Sequence, residues 1–142
     1  LALAPIGAYL AVTGEFNLIP LLISFAVLFW VSGFDIIYSL QDIDFDRSHN
    51  LRSFPVLLGQ KGALILSSIF HLLTAGFIFF AGYYGGFGSW YWIGCAIFSA
   101  LLVYQHTLVK VDDLSNINLA FFTTNGIGSV VFAIFVILDL AL

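Results

Sequence analysis

Four carboxylates stand within twelve residues in the stretch Asp35-Ile-Ile-Tyr-Ser-Leu-Gln-Asp42-Ile-Asp44-Phe-Asp46-Arg47, at the end of a hydrophobic run. Only 8% of the chain is charged, so the acid is concentrated where a site would need it. On a helix turning about 100° per residue, Asp35 and Asp42 fall within about 20° of each other, and Asp46 about 40° further round. Tyr38 lies near that stripe, while Asp44 points elsewhere and reads as a solvated neighbour. Acids on one face repel each other unless a cation sits among them. Hard oxygen donors suit magnesium, which takes one or two carboxylates and completes its shell with water and substrate phosphate. The spacing therefore points to a magnesium–phosphate station, with Asp42 and Asp46 as metal ligands and Asp35 beside them. The plainer reading of Asp42 and Asp46 is a solvated helix end, and of Asp35 an interhelical hydrogen bond. Against it, Asp35 lies inside the apolar run, where a charge costs about 2.5–3.5 kcal/mol on insertion scales and marks function.

The elements that must position these acids are membrane helices. Of 142 residues, 61% are hydrophobic and sixteen are phenylalanine, with mean hydropathy +1.07. A soluble domain is nearer half apolar and a quarter charged. The chain has no methionine and opens within an apolar run, Leu1-Ala-Leu-Ala, so it reads as the C-terminal piece of a longer protein. Nothing basic precedes that run, so it is not a signal peptide. The single Cys95 excludes a disulfide framework or a cysteine metal site. A net charge of −4 argues against nucleic acid, and an acidic protein that handles a phosphate needs a metal as intermediary.

A bilayer takes roughly 20 apolar residues per helix. Five spans are expected: the end of one over 1–12, then about 20–40, 63–81, 90–109 and 119–140. The acid cluster extends the second span to Asp46. Between the second and third, Ser53 and Pro55 open a short interfacial helix over Phe54–Leu58 that ends at Gly59. No second domain is visible, so residues 1–142 form one transmembrane unit. Arg47, Arg52 and Lys61 follow the second span and Lys110 the fourth, whereas the loops 13–19 and 82–89 carry no Lys or Arg. The positive-inside rule then places the acids on the cytoplasmic side, consistent with a bacterial inner membrane.

Asp42-x-x-x-Asp46, preceded by Asp35-x-x-Tyr38 and followed by Arg52-Ser53-x-Pro55-x-x-x-Gly59, closely resembles the second aspartate-rich motif of UbiA-type membrane prenyltransferases. Tyr104-Gln-His-x-Leu-Val109 and Asn118-x-Ala-Phe-Phe122-x-x-Asn125-Gly126 resemble the later helices of members that prenylate 4-hydroxybenzoate or related aromatic acids. The resemblance implies the last five helices of a nine-helix all-α fold. It implies transfer of an isoprenyl chain from its diphosphate to an aromatic acceptor, with Mg2+ held by Asp42 and Asp46, in ubiquinone or menaquinone biosynthesis. The first aspartate-rich motif of the family is absent, which implies a partner in the N-terminal half of the same protein and an inactive fragment without it.

Beside that resemblance, Arg52 is the best local grip for a diphosphate, or simply a topology-setting charge. Tyr38 is a π face for a carbocation or a core tyrosine. His106 and Lys110, four residues apart with Asp113 beyond, are candidates for the acceptor's carboxylate, against helix-end snorkelling. Asn118 and Asn125 form a polar stripe on the fifth span, explained by interhelical hydrogen bonds or by a pocket role for Asn125. His71 is expected to bond a neighbouring helix, and Glu15 and Asp139 to sit at the far interface. The alternative from another class is a fragment of a cation transporter with Asp35 as ion ligand, which would place acids near the midplane on broken helices. A third is a non-catalytic scaffold.

Overall fold

In a bilayer the backbone must satisfy its hydrogen bonds within each segment, which leaves helices as the open spanning form. The computed structural model describes residues 1–111 and 113–142; Asp112, in the expected 110–118 loop, lies outside them. Its elements are α1 (Ala4–Thr13), α2 (Leu18–Ser39), a 3₁₀ turn (Leu40–Asp42), α3 (Ile43–Ser48), α4 (Phe54–Gly85), α5 (Ser89–Leu108), a π turn (Leu119–Thr124) and α6 (Asn125–Ala141). This is an all-α membrane bundle. Among the described residues, three stretches are long and apolar enough to cross a membrane: Leu18–Ser48, Phe54–Gly85 and Leu119–Ala141. The other two expected spans fall short for different reasons. α1 has only 10 residues, and the 20 of α5 include Trp, Tyr, Gln and His toward its ends.

Local chemistry explains the boundaries. Asn17 caps α2 by accepting from Ile19 N–H at 2.8 Å. The expected stop at Gly59 is real: it takes φ 71° and ψ 167°, a conformation that suits glycine, and the chain resumes as helix at once. α4 therefore has a short first segment set off from its long body, and it ends at Gly85 rather than near Ala81.

α2 and α4 share the most extensive interface. Ser67, His71 and Thr74 recur at helical spacing on α4 and all three are buried. The Ser67 hydroxyl donates to Gly33 O at 2.7 Å, and the Thr74 hydroxyl is shared between Phe70 O on its own helix at 3.0 Å and Ala26 O at 3.3 Å. The His71 ring lies over Gly33, where a Cβ would fall on the imidazole. At one end of the bundle, Ile36, Ile37, Leu40, Ala63, Val109, Ile117 and Ala120 form a buried cluster, so the α3–α4 and α5–α6 connections share that end. Toward the other end, Ala26, Ile78, Tyr91, Cys95, Phe98 and Leu102 form a second cluster.

Asp139, expected at an interface, serves as a cap from another helix. Its carboxylate accepts from Gly88 N–H at 2.8 Å and from Tyr91 N–H at 3.1 Å, supplying the acceptor that α5 lacks at Gly88. Asp139→Ala should lower the stability of the purified protein by about 1 kcal/mol in detergent unfolding, with Asp139→Asn retaining part of it. Gly33→Ala should cost about 1–3 kcal/mol, because the added methyl displaces the buried imidazole from its seat on α2. An unchanged unfolding midpoint in Gly33→Ala would contradict the α2–α4 seam.

Candidate functional site

The acids do not continue one α-helical face. α2 tightens into the 3₁₀ turn at Leu40, whose side chain is fully buried in the end cluster. Three steps of about 120° instead of about 100° swing Asp42 roughly 60° from where an unbroken helix would place it relative to Asp35. Asp35, Asp42 and Asp44 are exposed and Asp46 is half-buried. Among the described residues, no three Asp, Glu, His or Cys side chains gather as a metal cage. Asp42 and Asp46 remain accessible oxygen donors at the bundle's end, which suits a cation that draws most of its shell from water or substrate.

Asp35 and Arg52 line one pocket of about 390 Å³, with Ser32, Ile36 and Ser39 from α2 and Ser53, Phe54 and Leu57 from the start of α4. The Gly59 break creates this arrangement, since it sets off the segment holding Phe54 and Leu57 from the body of α4. A carboxylate and a guanidinium of opposite sign thus stand at one opening with an apolar floor. The buried Ser53 hydroxyl there has no protein partner among the described residues.

Tyr38 belongs to an aromatic wall that sequence reasoning missed. Trp30, Phe34 and Tyr38 follow at one-turn spacing on α2 and meet the π turn. The rings of Trp30 and Phe34 lie 5.4 Å apart, Phe34 and Phe121 5.3 Å, and Tyr38 and Phe121 4.2 Å. The i, i+4, i+8 recurrence was the available signal. Behind the wall, Asn125 Oδ1 accepts from Trp30 Nε1 at 3.3 Å and from Gln105 Nε2 at 3.3 Å. The interhelical explanation of Asn125 therefore holds. Asn118 is exposed, and the π turn between the two asparagines removes the expected common stripe.

His106 sits elsewhere. Its Nε2 lies 2.9 Å from Nδ1 of His71, and its Nδ1 lies 3.3 Å from the Ser68 hydroxyl. α5 ends at Leu108 and Val109 turns extended into the end cluster, so Lys110 never becomes the next turn of a His106 stripe. Lys110 pairs through its backbone with Asp113 at 3.1 Å. Hydrogen bonds from the Ser115 side chain and backbone, with Lys110 nearby, hold the Asp113 carboxyl below the usual carboxylate range. That carboxyl is occupied by its own turn.

The chain is 30% identical over 134 residues to a 4-hydroxybenzoate octaprenyltransferase of Francisella tularensis subsp. mediasiatica, covering 92% of this chain and 47% of that protein. It is 30% identical over 125 residues to the protein of that name from Aeromonas salmonicida, covering 88% and 43%, and 29% identical over 133 residues to that from Aromatoleum aromaticum, covering 94% and 45%. The chain thus spans about half the length of the curated relatives it matches. No solved structure matches it significantly. The model of the UbiA prenyltransferase family matches residues 1–127, a stretch that holds the acids, the Asp35–Arg52 pocket and the whole aromatic wall; the chain belongs to that family.

Proposed function

We propose that the chain forms part of an integral-membrane prenyltransferase. The reaction moves an isoprenyl chain from its diphosphate to an aromatic acceptor such as 4-hydroxybenzoate, giving a ubiquinone- or menaquinone-type precursor. The observation that carries this is the placement, at one end of an apolar bundle, of accessible Asp42 and Asp46 and of the Asp35–Arg52 pocket, with Tyr38 packed against the same end cluster. Family membership and the names of the relatives support it. They lend nothing to the transporter alternative.

Asp42 and Asp46 would hold Mg2+, and the chemistry it supplies when bound is neutralisation of the leaving diphosphate. Arg52 presents a planar fork of donors that fits phosphate oxygens and orients them. Asp35 adds negative charge close to where an allylic cation develops, the kind of preorganised field that accounts for much of catalysis. Tyr38, at the acid end of the aromatic wall, would offer its ring face to that cation. The N-terminal half of the same protein would complete the metal site. The cations Arg47, Arg52, Lys61 and Lys110 favour a cytoplasmic acid face in a bacterial inner membrane.

In the whole protein, Asp42→Ala or Asp46→Ala should reduce transfer from isoprenyl diphosphate to 4-hydroxybenzoate by at least about a hundredfold while membrane insertion is unchanged. Chelation should abolish activity and added Mg2+ restore it. Full turnover in either variant, or in the metal-stripped protein, would remove the assignment. Arg52→Gln should raise KM for the diphosphate by about tenfold, measured at saturating acceptor.

A further inference from the structure

Gln105 is fully buried on α5, and its carboxamide reaches both ends of the π turn. Its Nε2 donates to Ala120 O at 2.8 Å and to Asn125 Oδ1 at 3.3 Å. The two acceptors stand five residues apart, the hydrogen-bond spacing of a π turn, so the two N–H groups of one amide bridge that turn. The Ala120 carbonyl belongs to the peptide unit that leads into Phe121. Pinning it fixes the direction from which the Phe121 ring departs toward Tyr38 and Phe34. Asn125 in turn holds the Trp30 indole, so one side chain links the π turn to both ends of the α2 aromatic stripe.

We propose that Gln105 is a positioning residue that sets the aromatic wall through Phe121, and so determines whether the allylic cation is captured by the aromatic acceptor or by water. This rests on the prenyl-transfer reading above. In that reaction the allylic C–O bond breaks with its electron pair leaving on diphosphate. The cation then bonds to a ring carbon of the acceptor, which releases its ring proton, or to water, which gives the prenyl alcohol and a proton. A wall held in place favours the first outcome; a loosened one admits water.

The experiment uses the whole protein in membranes with geranyl diphosphate and 4-hydroxybenzoate, quantifying prenylated aromatic and geraniol together. Gln105→Leu, which removes both hydrogen bonds to the π turn, should lower the ratio of aromatic product to alcohol by about tenfold. Phe121→Ala should lower it as well, and adding Gln105→Leu to Phe121→Ala should change it no further, because both act on one ring. If Gln105→Leu does not accumulate as folded protein, Gln105→Glu, of equal length and with one donor when protonated, takes its place and should give an intermediate ratio. Both products falling in parallel at a constant ratio, or additive effects in the double variant, would overturn the role of Gln105. A wild type that forms neither product would instead overturn the prenyl-transfer reading, and this inference with it.

Discussion

The close approach of α2 to α4 governs the rest of the bundle. Between membrane helices there is no hydrophobic driving force, since lipid is as apolar as leucine, so association rests on packing and interhelical hydrogen bonds. Here hydroxyls on α4 reach backbone carbonyls on α2, at Gly33 and Ala26. Such contacts require small residues on the facing helix, and an imidazole seated over Gly33 leaves α2 one rotation. With Gly33 turned into α4, Asp35, two residues on, is carried roughly 200° round and away from the seam. That is why an acid can sit within an apolar helix and remain exposed.

The same constraint sets both the aromatic stripe and the Asp35–Arg52 pocket. α2 fixed in rotation presents Trp30, Phe34 and Tyr38 toward the π turn, and Asp35 toward the start of α4. Neither partner surface comes from a regular helix. One follows from the Gly59 break and the other from the π turn, each held by contacts beyond its own segment. Breaks of this kind are tolerated at membrane depth when protein surrounds them and re-satisfies the backbone. The fully buried Gln105 does this for the Ala120 carbonyl.

How much of this was legible in the sequence depended on whether the cause was local. Spans followed from apolar run length, and their ends from Pro20, Pro55, Gly59 and the Gly-rich 82–89 stretch, so most boundaries fell within a few residues. The tightening at Leu40 did not, because it comes from burying Leu40 beneath Val109 and Ile117, far along the chain. An unbroken helix therefore misjudged the angle between Asp35 and Asp42. The π turn left no mark in Leu119–Thr124 itself; its support lies on α5. His106 was assigned to a stripe with Lys110 because nothing local shows that Val109 leaves the helix for the core. Asp139 capped a helix whose start lies about fifty residues earlier, a pairing that no periodicity carries.

The polar groups of this chain divide by what they touch, and the division bears on function. Ser67, Thr74, Tyr91 and Gln105 are buried and each donates to a backbone carbonyl, while Asp139 accepts backbone N–H groups. These groups hold the bundle, and the partners they find offset their cost in an apolar medium, except at the Gln105 carbonyl oxygen, which has none among the described residues. Asp35, Asp42 and Asp44 are exposed and Asp46 half-buried at the end where the two cation-bearing connections meet. The protein carries them on α2, the helix with the most extensive interface, and on the turn that follows. Charged groups at that end stay within reach of solvent instead of being taken up by internal hydrogen bonds, which separates them from the polar groups that hold the bundle.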